Sequence, residues 1–361
     1  MIDFLVVGGG VAGIGAAAHL SELGSVLVLE REASLGYHAS GRSAAMFEEG
    51  YGPPAIKALS RASRSFFETP GAGRETYLSP RGLMLLGKAD ERADFEADLA
   101  EMGLQEISVE QAQARVPILN PDVLRHAAIH ETATDIDTDR LMLDWTKVLR
   151  QAGGEIRLRQ EVKAITRSAA GWRADTGDAV YEARQIVNAA GAWADVVAEL
   201  ADVAPVGLQP RRRSMAQLPA PGGLDVRAWP MLMGVNEGWY AKPQAGKLLV
   251  SPADADPVAP QDAWADDLVL ATGLARYEEM VTTPVTRLET SWAGLRSFAP
   301  DGVPVFGAAP AAPGFWWYAG QGGYGFQSAP ASARMLRDLV AGRAPDLDPE
   351  TVAALSPARF S

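Results

Sequence analysis

Three glycines near the amino terminus have the spacing that a phosphate-binding turn requires. Gly8, Gly10 and Gly13 form a G-x-G-x-x-G motif directly after the apolar segment 4–7, and the acidic residue Glu30 follows about twenty residues later. The first glycine permits a tight turn, the second lets the backbone approach a pyrophosphate, and the third packs a helix on a strand. The N-terminus of that helix attracts an anion. The motif predicts a dinucleotide site in which Glu30 accepts hydrogen bonds from ribose hydroxyls; the alternative is a tight turn without nucleotide.

Two further segments favour a long, extended dinucleotide such as FAD. Residues 36–45, GYHASGRSAA, are small and polar and could run along such a cofactor. A second glycine turn, residues 187–193, follows an apolar segment and could bring the backbone close to the same ligand. The two segments together extend the predicted site well beyond the first turn.

The elements that must position these motifs are strands and helices in alternation. Residues 4–7, 11–23 and 26–29 predict a strand, a helix and a strand. Helical spacing recurs at 53–68, 91–102, 140–149 and 326–340, whereas residues 155–187 and 206–250 have β patterns. We find no internal repeat or linker, so we expect two interleaved domains of α/β and α+β type.

Composition and charge set further limits. A length of 361 residues exceeds the roughly 250–300 at which a single core stops growing, so two domains are expected. The net charge of -12 disfavours nucleic acid as a partner, despite the basic run 211–213. The absence of cysteine excludes disulfides, thiolate metal sites and a cysteine-linked flavin. The four histidines lack ligand spacing, so no metal site is expected.

The amino terminus predicts a cytoplasmic protein without a transmembrane segment. The chain opens directly into an apolar strand and lacks the basic region and cleavage site of a secretory signal. The apolar stretch 4–18 is shorter than a membrane span and rich in glycine.

Five motifs carry a resemblance over nearly the whole chain. VVGGGVAGIGAAAHL, GYHASGRSAAM, IVNAAGAWAD, TSWAGLRSF and AGQGGYGFQ, in this order, resemble the FAD-dependent D-amino acid oxidase superfamily and most closely its D-arginine dehydrogenase branch. The resemblance implies a discontinuous Rossmann-like FAD domain (1–78, 145–205 and 286–361). It also implies a substrate domain (79–144 and 206–285) whose mixed β-sheet covers the isoalloxazine.

The same resemblance implies which residues hold non-covalently bound FAD. Val162 would meet the adenine through its backbone, and residues 322–327 would surround the pyrimidine edge of the flavin. A helix N-terminus at that edge would stabilise negative charge on the reduced flavin. The implied cofactor residues are Gly8, Gly10, Ala12, Gly13, Glu30, Arg31, Ser40, Gly41, Arg42, Ser43, Ala44, Ala45, Met46, Val162, Ala190, Gly191, Trp193, Gly322, Gly323, Tyr324, Gly325, Phe326 and Gln327.

A second set of residues is implied around the substrate. It comprises Tyr51, Leu83, Arg213, Met231, Tyr240, Arg296, Gly323 and Gln327. A planar guanidinium binds a carboxylate through two parallel hydrogen bonds, so Arg213 and Arg296 resemble a carboxylate clamp. The alternatives are surface charges for the arginines, especially Arg213 beside Arg211 and Arg212, and plain core aromatics for Tyr51 and Tyr240.

The sequence departs from the D-arginine dehydrogenase pattern at two positions. That pattern has a glutamate two residues after Ser-Pro-Arg, where this chain has Leu83, so a cationic side chain would lose its counter-charge. Met46 replaces a histidine, which excludes covalent flavin attachment there. Glu48 and Glu49 could restore an acidic rim or could simply face solvent.

The expected reaction is oxidation of a D-amino acid with an apolar or aromatic side chain. A hydride would pass from Cα to flavin N5, and water would hydrolyse the imino acid to a 2-oxo acid and ammonia. The alternatives are oxidation of glycine or a secondary amine, or of a 2-hydroxy acid. The sequence leaves the electron acceptor open between oxygen and a quinone, and it leaves the oligomeric state open.

Overall fold

In the computed structural model, which describes residues 1–69 and 75–360, the chain forms two eight-stranded sheets and one three-stranded sheet. The strands are β1 (Ile2–Val7), β2 (Val26–Leu29), β3 (Met46–Phe47), β4 (Leu78–Pro80), β5 (Leu83–Gly87), β6 (Gln105–Ile107), β7 (His126–His130), β8 (Thr134–Ile136), β9 (Glu155–Arg157), β10 (Ala164–Ser168), β11 (Gly171–Asp175), β12 (Val180–Asn188), β13 (Gln209–Leu218), β14 (Met231–Gly234), β15 (Tyr240–Gln244), β16 (Lys247–Ser251), β17 (Thr290–Phe298), β18 (Val305–Ala308) and β19 (Phe315–Ala319). The α-helices are α1 (Val11–Leu20), α2 (Pro54–Glu68), α3 (Arg92–Met102), α4 (Val109–Arg115), α5 (Thr138–Gln151), α6 (Ala194–Leu200), α7 (Asp267–Glu279), α8 (Gly325–Val340) and α9 (Pro349–Leu355).

The first sheet has a parallel centre. Strands β9, β2, β1 and β12 lie side by side and parallel, β19 pairs in parallel with the end of β12, and the β10–β11 hairpin pairs with the start of β12. Parallel strands are covered on both faces, which is why β1 and β2 have nearly continuous apolar sequences. Because Val7 pairs with Asn188, the two glycine turns that follow β1 and β12 lie next to each other.

The turn from β1 into α1 depends on two of the motif's glycines. Gly8 has a φ of 110°, a conformation that residues with a Cβ rarely adopt. A Cβ on Gly13 would collide with the carbonyl oxygen of Gly8, so only glycine lets α1 pack this closely on β1. These contacts are what the fingerprint requires of its first and third glycines.

The second sheet is mixed. Its strand order is β17-β13-β16-β15-β14-β5-β7-β6, with β14 and β5 parallel and the other pairs antiparallel. One face packs against helices α4 and α7 through a core that includes Val116, Leu270 and Tyr277. The opposite face carries Met215 and Tyr240 and packs against Ala44 at the end of the segment 36–45 and against Met46 of β3.

The two large sheets draw their strands from interleaved parts of the chain. Residues 2–29, 155–188 and 305–319 supply the first sheet, and residues 83–130 and 209–298 supply the second. Strand β17, which the predicted boundaries place in the FAD domain, is hydrogen-bonded to β13 in the second sheet. The mixed α/β architecture with several sheets confirms the predicted fold class.

Candidate active site

A long cleft lies between the two large sheets and contains about 1830 Å³ of space between protein atoms, part of it open to solvent. One wall comes from the turns after β1 and β12, the segment after β2 and the start of α8. The other wall comes from β13, β15 and β17. The predicted site residues that line this cleft are Gly8, Gly10, Ala12, Glu30, Arg31, Ser40, Arg42, Ser43, Ala44, Ala45, Met46, Val162, Ala190, Gly191, Trp193, Arg213, Tyr240, Arg296, Gly322, Gly323, Gly325, Phe326 and Gln327.

Six predicted residues lie outside this lining. Gly13 packs α1 on β1, and the N–H of Gly41 donates to the carbonyl oxygen of Gly36 across 2.6 Å. Tyr51 and Tyr324 pack against each other, with 5.2 Å between their ring centroids. The other two, Leu83 and Met231, belong to the apolar layer of the second sheet.

The dinucleotide end of the cleft is built around Glu30. Its carboxylate is buried and accepts hydrogen bonds from the N–H groups of Gly9 (2.6 Å) and Glu32 (2.8 Å). The hydroxyl oxygen of Ser40 accepts from the N–H of Val11 at the start of α1, across 3.0 Å. These bonds hold the glycine turn and the segment after β2 in one arrangement.

The backbone at this end fits a dinucleotide. A Cβ on Gly191 would meet no atom within 4 Å, so the second glycine turn presents bare backbone to the cleft. Among the described residues, the N–H group of Ala12 in the first turn of α1 has no acceptor. Unsatisfied N–H groups at a helix N-terminus bind phosphate oxygens, which is the contact that a pyrophosphate needs.

An aromatic and cationic group forms the rim beside Glu30. The guanidinium of Arg31 lies over the Trp193 ring, 4.8 Å from its centroid, and the His38 ring lies 4.7 Å from the same indole. The His38 Nε2 is 2.9 Å from the carboxylate of Glu32. This cluster places planar aromatic and guanidinium groups at the end of the cleft next to Glu30.

Arg42 lines the cleft, but its guanidinium is used to fix the loop that carries it. It donates to the carbonyl oxygens of Tyr37, Ala263 and Ala293 and to the carboxylate of Asp262. The Arg42 partner holds the pKa of Asp262 below its ordinary value. Arg42 therefore ties residues 36–43 to the second sheet and has few donors left for a ligand.

Arg213 and Arg296 lie on neighbouring strands at the other end of the cleft. Strand β13 pairs antiparallel with β17, so that Arg213 faces Gly294 and Arg211 faces Arg296. Side chains alternate along a strand, so Arg212 points to the opposite face, where it pairs with Asp254 at 3.3 Å. The register therefore sets Arg213 and Arg296 on the cleft side.

The guanidinium of Arg213 is buried without a hydrogen-bond acceptor. Among the described residues, its Nε and Nη1 have no partner, and only 11% of the side chain is exposed. Its guanidinium carbon lies 5.8 Å from the centre of the buried Tyr240 ring. Arg296 contacts the backbone of Gly323, since a Cβ there would come within 3.0 Å of its Nη1. The Arg296 guanidinium thus lies against the start of α8, and that of Arg213 lies beside Tyr240 on the same side of the sheet.

Tyrosine hydroxyls surround this pair of arginines. Burial raises the pKa of Tyr51 and of Tyr324 above the ordinary value, although the positive charge of Arg296 opposes the shift in both. Both side chains therefore stay protonated and can donate hydrogen bonds at neutral pH. The amide of Gln327 donates to the carbonyl oxygen of Tyr51 (3.3 Å) and accepts from the N–H of Glu48 (3.2 Å).

Glu48 and Glu49, which could have formed an acidic rim, are paired with other side chains. Glu48 is buried, and its carboxylate lies 2.6 Å from Nδ1 of His130, while Glu49 accepts from Arg64 across 2.7 Å. Leu83 is buried beside Met231, its partner in the pairing of β5 with β14. The apolar character expected at position 83 is therefore preserved in its surroundings.

The structure also brings residues to the site that the sequence patterns did not single out. The Glu237 carboxylate lies 3.8 Å from Nη1 of Arg213, and Lys242 donates to the carbonyl oxygens of Ala44 and Ala45. Neither residue belongs to a motif. Glu237 and Lys242 lie outside the cleft lining itself; the lining residues outside the predicted set include Gly9, Tyr37, His38, Gln160, Glu161, Met215, Gln261, Ser297 and Gln321. Of these, Tyr37 and His38 lie within the small polar segment 36–45, which could have indicated them.

The fold and the cleft together define a class of protein, a dinucleotide-binding oxidoreductase with a second sheet over the reactive end of its cofactor. Residues 3–339 match the family described as FAD dependent oxidoreductase, DAO, and the chain belongs to this family. FAD is therefore its cofactor, as the glycine motifs predicted.

Relatives of similar length support the assignment. The chain is 29% identical to a glycine oxidase of Pseudomonas aeruginosa and 27% identical to one of Pseudomonas putida, with 96% of each chain covered in both cases. The crystal structure of glycine oxidase from Geobacillus kaustophilus has the same fold, with a TM-score of 0.84 at 23% identity over 99% of this chain and 98% of that one.

Neither a membrane-spanning helix nor a metal cluster occurs in the part of the chain that the structure describes. Within 1–69 and 75–360, no helix is long and apolar enough to cross a bilayer. The same residues contain no cluster of three or more histidine, aspartate or glutamate side chains with the geometry of a metal site.

Proposed function

We propose that the chain catalyses the FAD-dependent oxidative deamination of D-amino acids, with apolar or aromatic side chains preferred over that of D-arginine. The observation that carries the proposal is the buried Arg213 guanidinium, whose Nε and Nη1 have no acceptor among the described residues and which lies on the same face as Arg296. An unpaired buried donor costs roughly 1–3 kcal/mol, which a bound carboxylate would recover. An amino acid supplies that carboxylate.

FAD, when bound, accepts the hydride that leaves the substrate Cα. The residues of the cleft that support its binding are the two glycine turns, Glu30 and the segment 322–327 at the start of α8. These residues contribute position and charge to the site, and we assign none of them a covalent bond to the cofactor.

The residues on the substrate side of the cleft would orient the substrate. Arg213 and Arg296 would fix the carboxylate, and the protonated hydroxyl of Tyr51 would add a donor close to Arg296. Loss of a hydride from Cα and a proton from nitrogen turns the neutral amine into an imino acid. Water then hydrolyses the imino acid to a 2-oxo acid and ammonia.

The preference for apolar or aromatic side chains rests on the apolar residue at position 83. This residue and Met231 form an apolar surface, and Glu48 and Glu49 are paired with His130 and Arg64. The glutamate that the D-arginine dehydrogenase pattern has at position 83 is thus missing, and a cationic side chain would lose that counter-charge, which costs several kcal/mol. We therefore expect D-leucine and D-phenylalanine to be better substrates than D-arginine.

Oxidation of glycine or of a secondary amine is the second candidate. The observation that favours it is the similarity to two glycine oxidases over 96% of the chain. The same pair of arginines would hold the carboxylate of such substrates. The physiological acceptor for the reduced cofactor is open between oxygen and a quinone.

Anaerobic mixing of the holoprotein with a substrate panel separates these candidates. The panel is glycine, N-methylglycine, D-alanine, D-leucine, D-phenylalanine, D-arginine and L-lactate, and the signal is the loss of the visible absorbance of oxidised flavin. Fastest loss with D-leucine or D-phenylalanine supports the proposal. Fastest loss with glycine or N-methylglycine supports the second candidate. Loss with lactate and with no amine would contradict both.

A further inference from the structure

Glu237 lies in the turn that joins β14 to β15, in an unusual backbone conformation. Asn236 and Glu237 are consecutive non-glycine residues with φ values of 56° and 51°. Such left-handed conformations are costly for residues with a Cβ and persist where surrounding contacts enforce them. Here the N–H of Asn236 donates to the carboxylate of Asp98 (2.7 Å), and the carbonyl oxygen of Gly238 accepts from Arg276 (3.0 Å). The turn is held from two sides.

This backbone directs the Glu237 side chain toward the arginine pair. Its carboxylate oxygen lies 3.8 Å from Nη1 of Arg213, and the side chain is 32% exposed. Its negative charge contributes to the raised pKa of both Tyr51 and Tyr324, and it favours the charged form of Arg296. The two arginines and the two tyrosines therefore all lie in the electric field of the Glu237 carboxylate.

The distance leaves room for a ligand. At 3.8 Å the oxygen is too far from Arg213 for a hydrogen bond, which is why Nη1 remains without an acceptor. Glu237 consequently balances part of the charge of the arginines without occupying their donors. The two guanidinium groups and this one carboxylate leave a single net positive charge, which one ligand carboxylate neutralises.

We propose that Glu237 is a specificity-determining residue that restricts the site to ligands with one negative charge. A second carboxylate on the ligand would face Glu237 instead of a free guanidinium. The two negative charges would then repel each other. The substrate class would then be monocarboxylic amino acids, with the aspartate and glutamate type excluded. This inference rests on the proposed function in taking Arg213 and Arg296 as the carboxylate site.

The test compares the binding of acetate and malonate to the oxidised holoprotein, followed by the change in flavin absorbance during titration. For Glu237→Gln we expect the malonate Kd to fall about tenfold, and the acetate Kd to change by less than about threefold, because only malonate carries a second charge. Glu96→Gln is the matched control, since Glu96 lies on the neighbouring helix α3, is 58% exposed and pairs with Arg92. It should leave both Kd values as in the wild type.

A third variant guards against a structural explanation. Glu237→Asp retains the charge in the same strained turn, so it should keep the wild-type preference for acetate over malonate. An unchanged ratio of the two Kd values in Glu237→Gln, or an equal shift in Glu237→Asp, would overturn the inference. Both Kd values are measured without turnover, so this result is independent of which substrate reduces the flavin. Absence of acetate binding in the wild type would instead count against the arginine site itself.

Discussion

Arg213 and Arg296 show how far residue types alone determine a site. The family resemblance implied both as carboxylate ligands, but three consecutive arginines left the face of residue 213 open. The pairing of β13 with β17 decides it, because Arg212 turns to Asp254 while Arg213 turns to the cleft. The side chain was predictable from the sequence, whereas its direction required the strand register.

Tyr51 provides a prediction about pH. Burial raises its pKa above the ordinary value near 10, so the hydroxyl stays protonated throughout the neutral and mildly alkaline range. Ionisation of Tyr51 therefore cannot produce a fall in activity between pH 8 and about 10. We expect the rate of anaerobic flavin reduction in Tyr51→Phe to have the same pH profile as the wild type in this range, with a lower amplitude throughout because one hydrogen-bond donor is lost.

The comparison with Tyr318→Phe controls for the loss of a buried hydroxyl. Tyr318 is fully buried, and its hydroxyl pairs with Ser332 of α8 beside the first sheet. A wild-type alkaline limb that disappears in Tyr51→Phe would show that Tyr51 titrates in this range. That result would contradict the assigned burial of its hydroxyl.

Two acidic residues show where residue-level prediction ends. The sequence predicted that Glu48 either forms an acidic rim of the substrate site or faces solvent. The structure instead places it in a buried pair with His130, a residue 82 positions away. Glu237 carried no sequence signal, because a glutamate in a short turn is usually exposed. Its direction comes from two left-handed residues that the neighbouring helix α3 holds in place. Neither arrangement leaves a local pattern.

Among the elements, those with a regular apolar period were predictable. The spacing predicted helices over 53–68 and 326–340, and the structure has α2 at Pro54–Glu68 and α8 at Gly325–Val340. The βαβ opening is equally close to its prediction. Strand β17 runs over Thr290–Phe298, because its pairing with β13 continues along its full length.

Strand β15 also anchors the segment that follows the first dinucleotide motif. Lys242 is buried on this strand and donates to the carbonyl oxygens of Ala44 (3.2 Å) and Ala45 (2.9 Å). It also lies 2.9 Å from the carboxylate of Asp135, which Arg81 binds as well. Burial lowers the pKa of Lys242, and the charge of Asp135 opposes that shift. The network ties residues 44 and 45 of the cleft wall to the second sheet.

Lys242→Met should weaken FAD binding. Methionine has a similar length but no donors, so the carbonyl oxygens of residues 44 and 45 lose their partners while Asp135 keeps Arg81. A loss of roughly 1–2 kcal/mol corresponds to about a tenfold increase in the Kd for FAD, measured by reconstitution of the apoprotein. Lys247→Met is the control, since Lys247 lies at the end of the neighbouring strand β16 and pairs there with Glu289. Equal FAD affinity in the two variants would refute the anchoring role.

At the scale of the whole molecule, the cleft exists because the chain crosses between two sheets several times. Local patterns predicted two interleaved domains, and the first sheet indeed collects strands from three separate stretches. The exact boundaries of these domains stay a prediction. Contacts such as that between Arg42 and Asp262 join residues 220 positions apart, and single-sequence patterns contain no information on such pairs.

We propose that Arg213 and Arg296 together bind the carboxylate of an amino acid next to FAD. The most direct measurement is the second-order rate constant of anaerobic flavin reduction by the best amino acid of the panel, in Arg296→Met and in Arg211→Met. Arg211 faces Arg296 across the same strand pair but is exposed and lies outside the cleft lining. We predict a decrease of at least about 100-fold for Arg296→Met, because a charge-assisted bidentate contact is lost. Arg211→Met should stay within about threefold of the wild type, and equal rates for Arg296→Met and the wild type would contradict the claim.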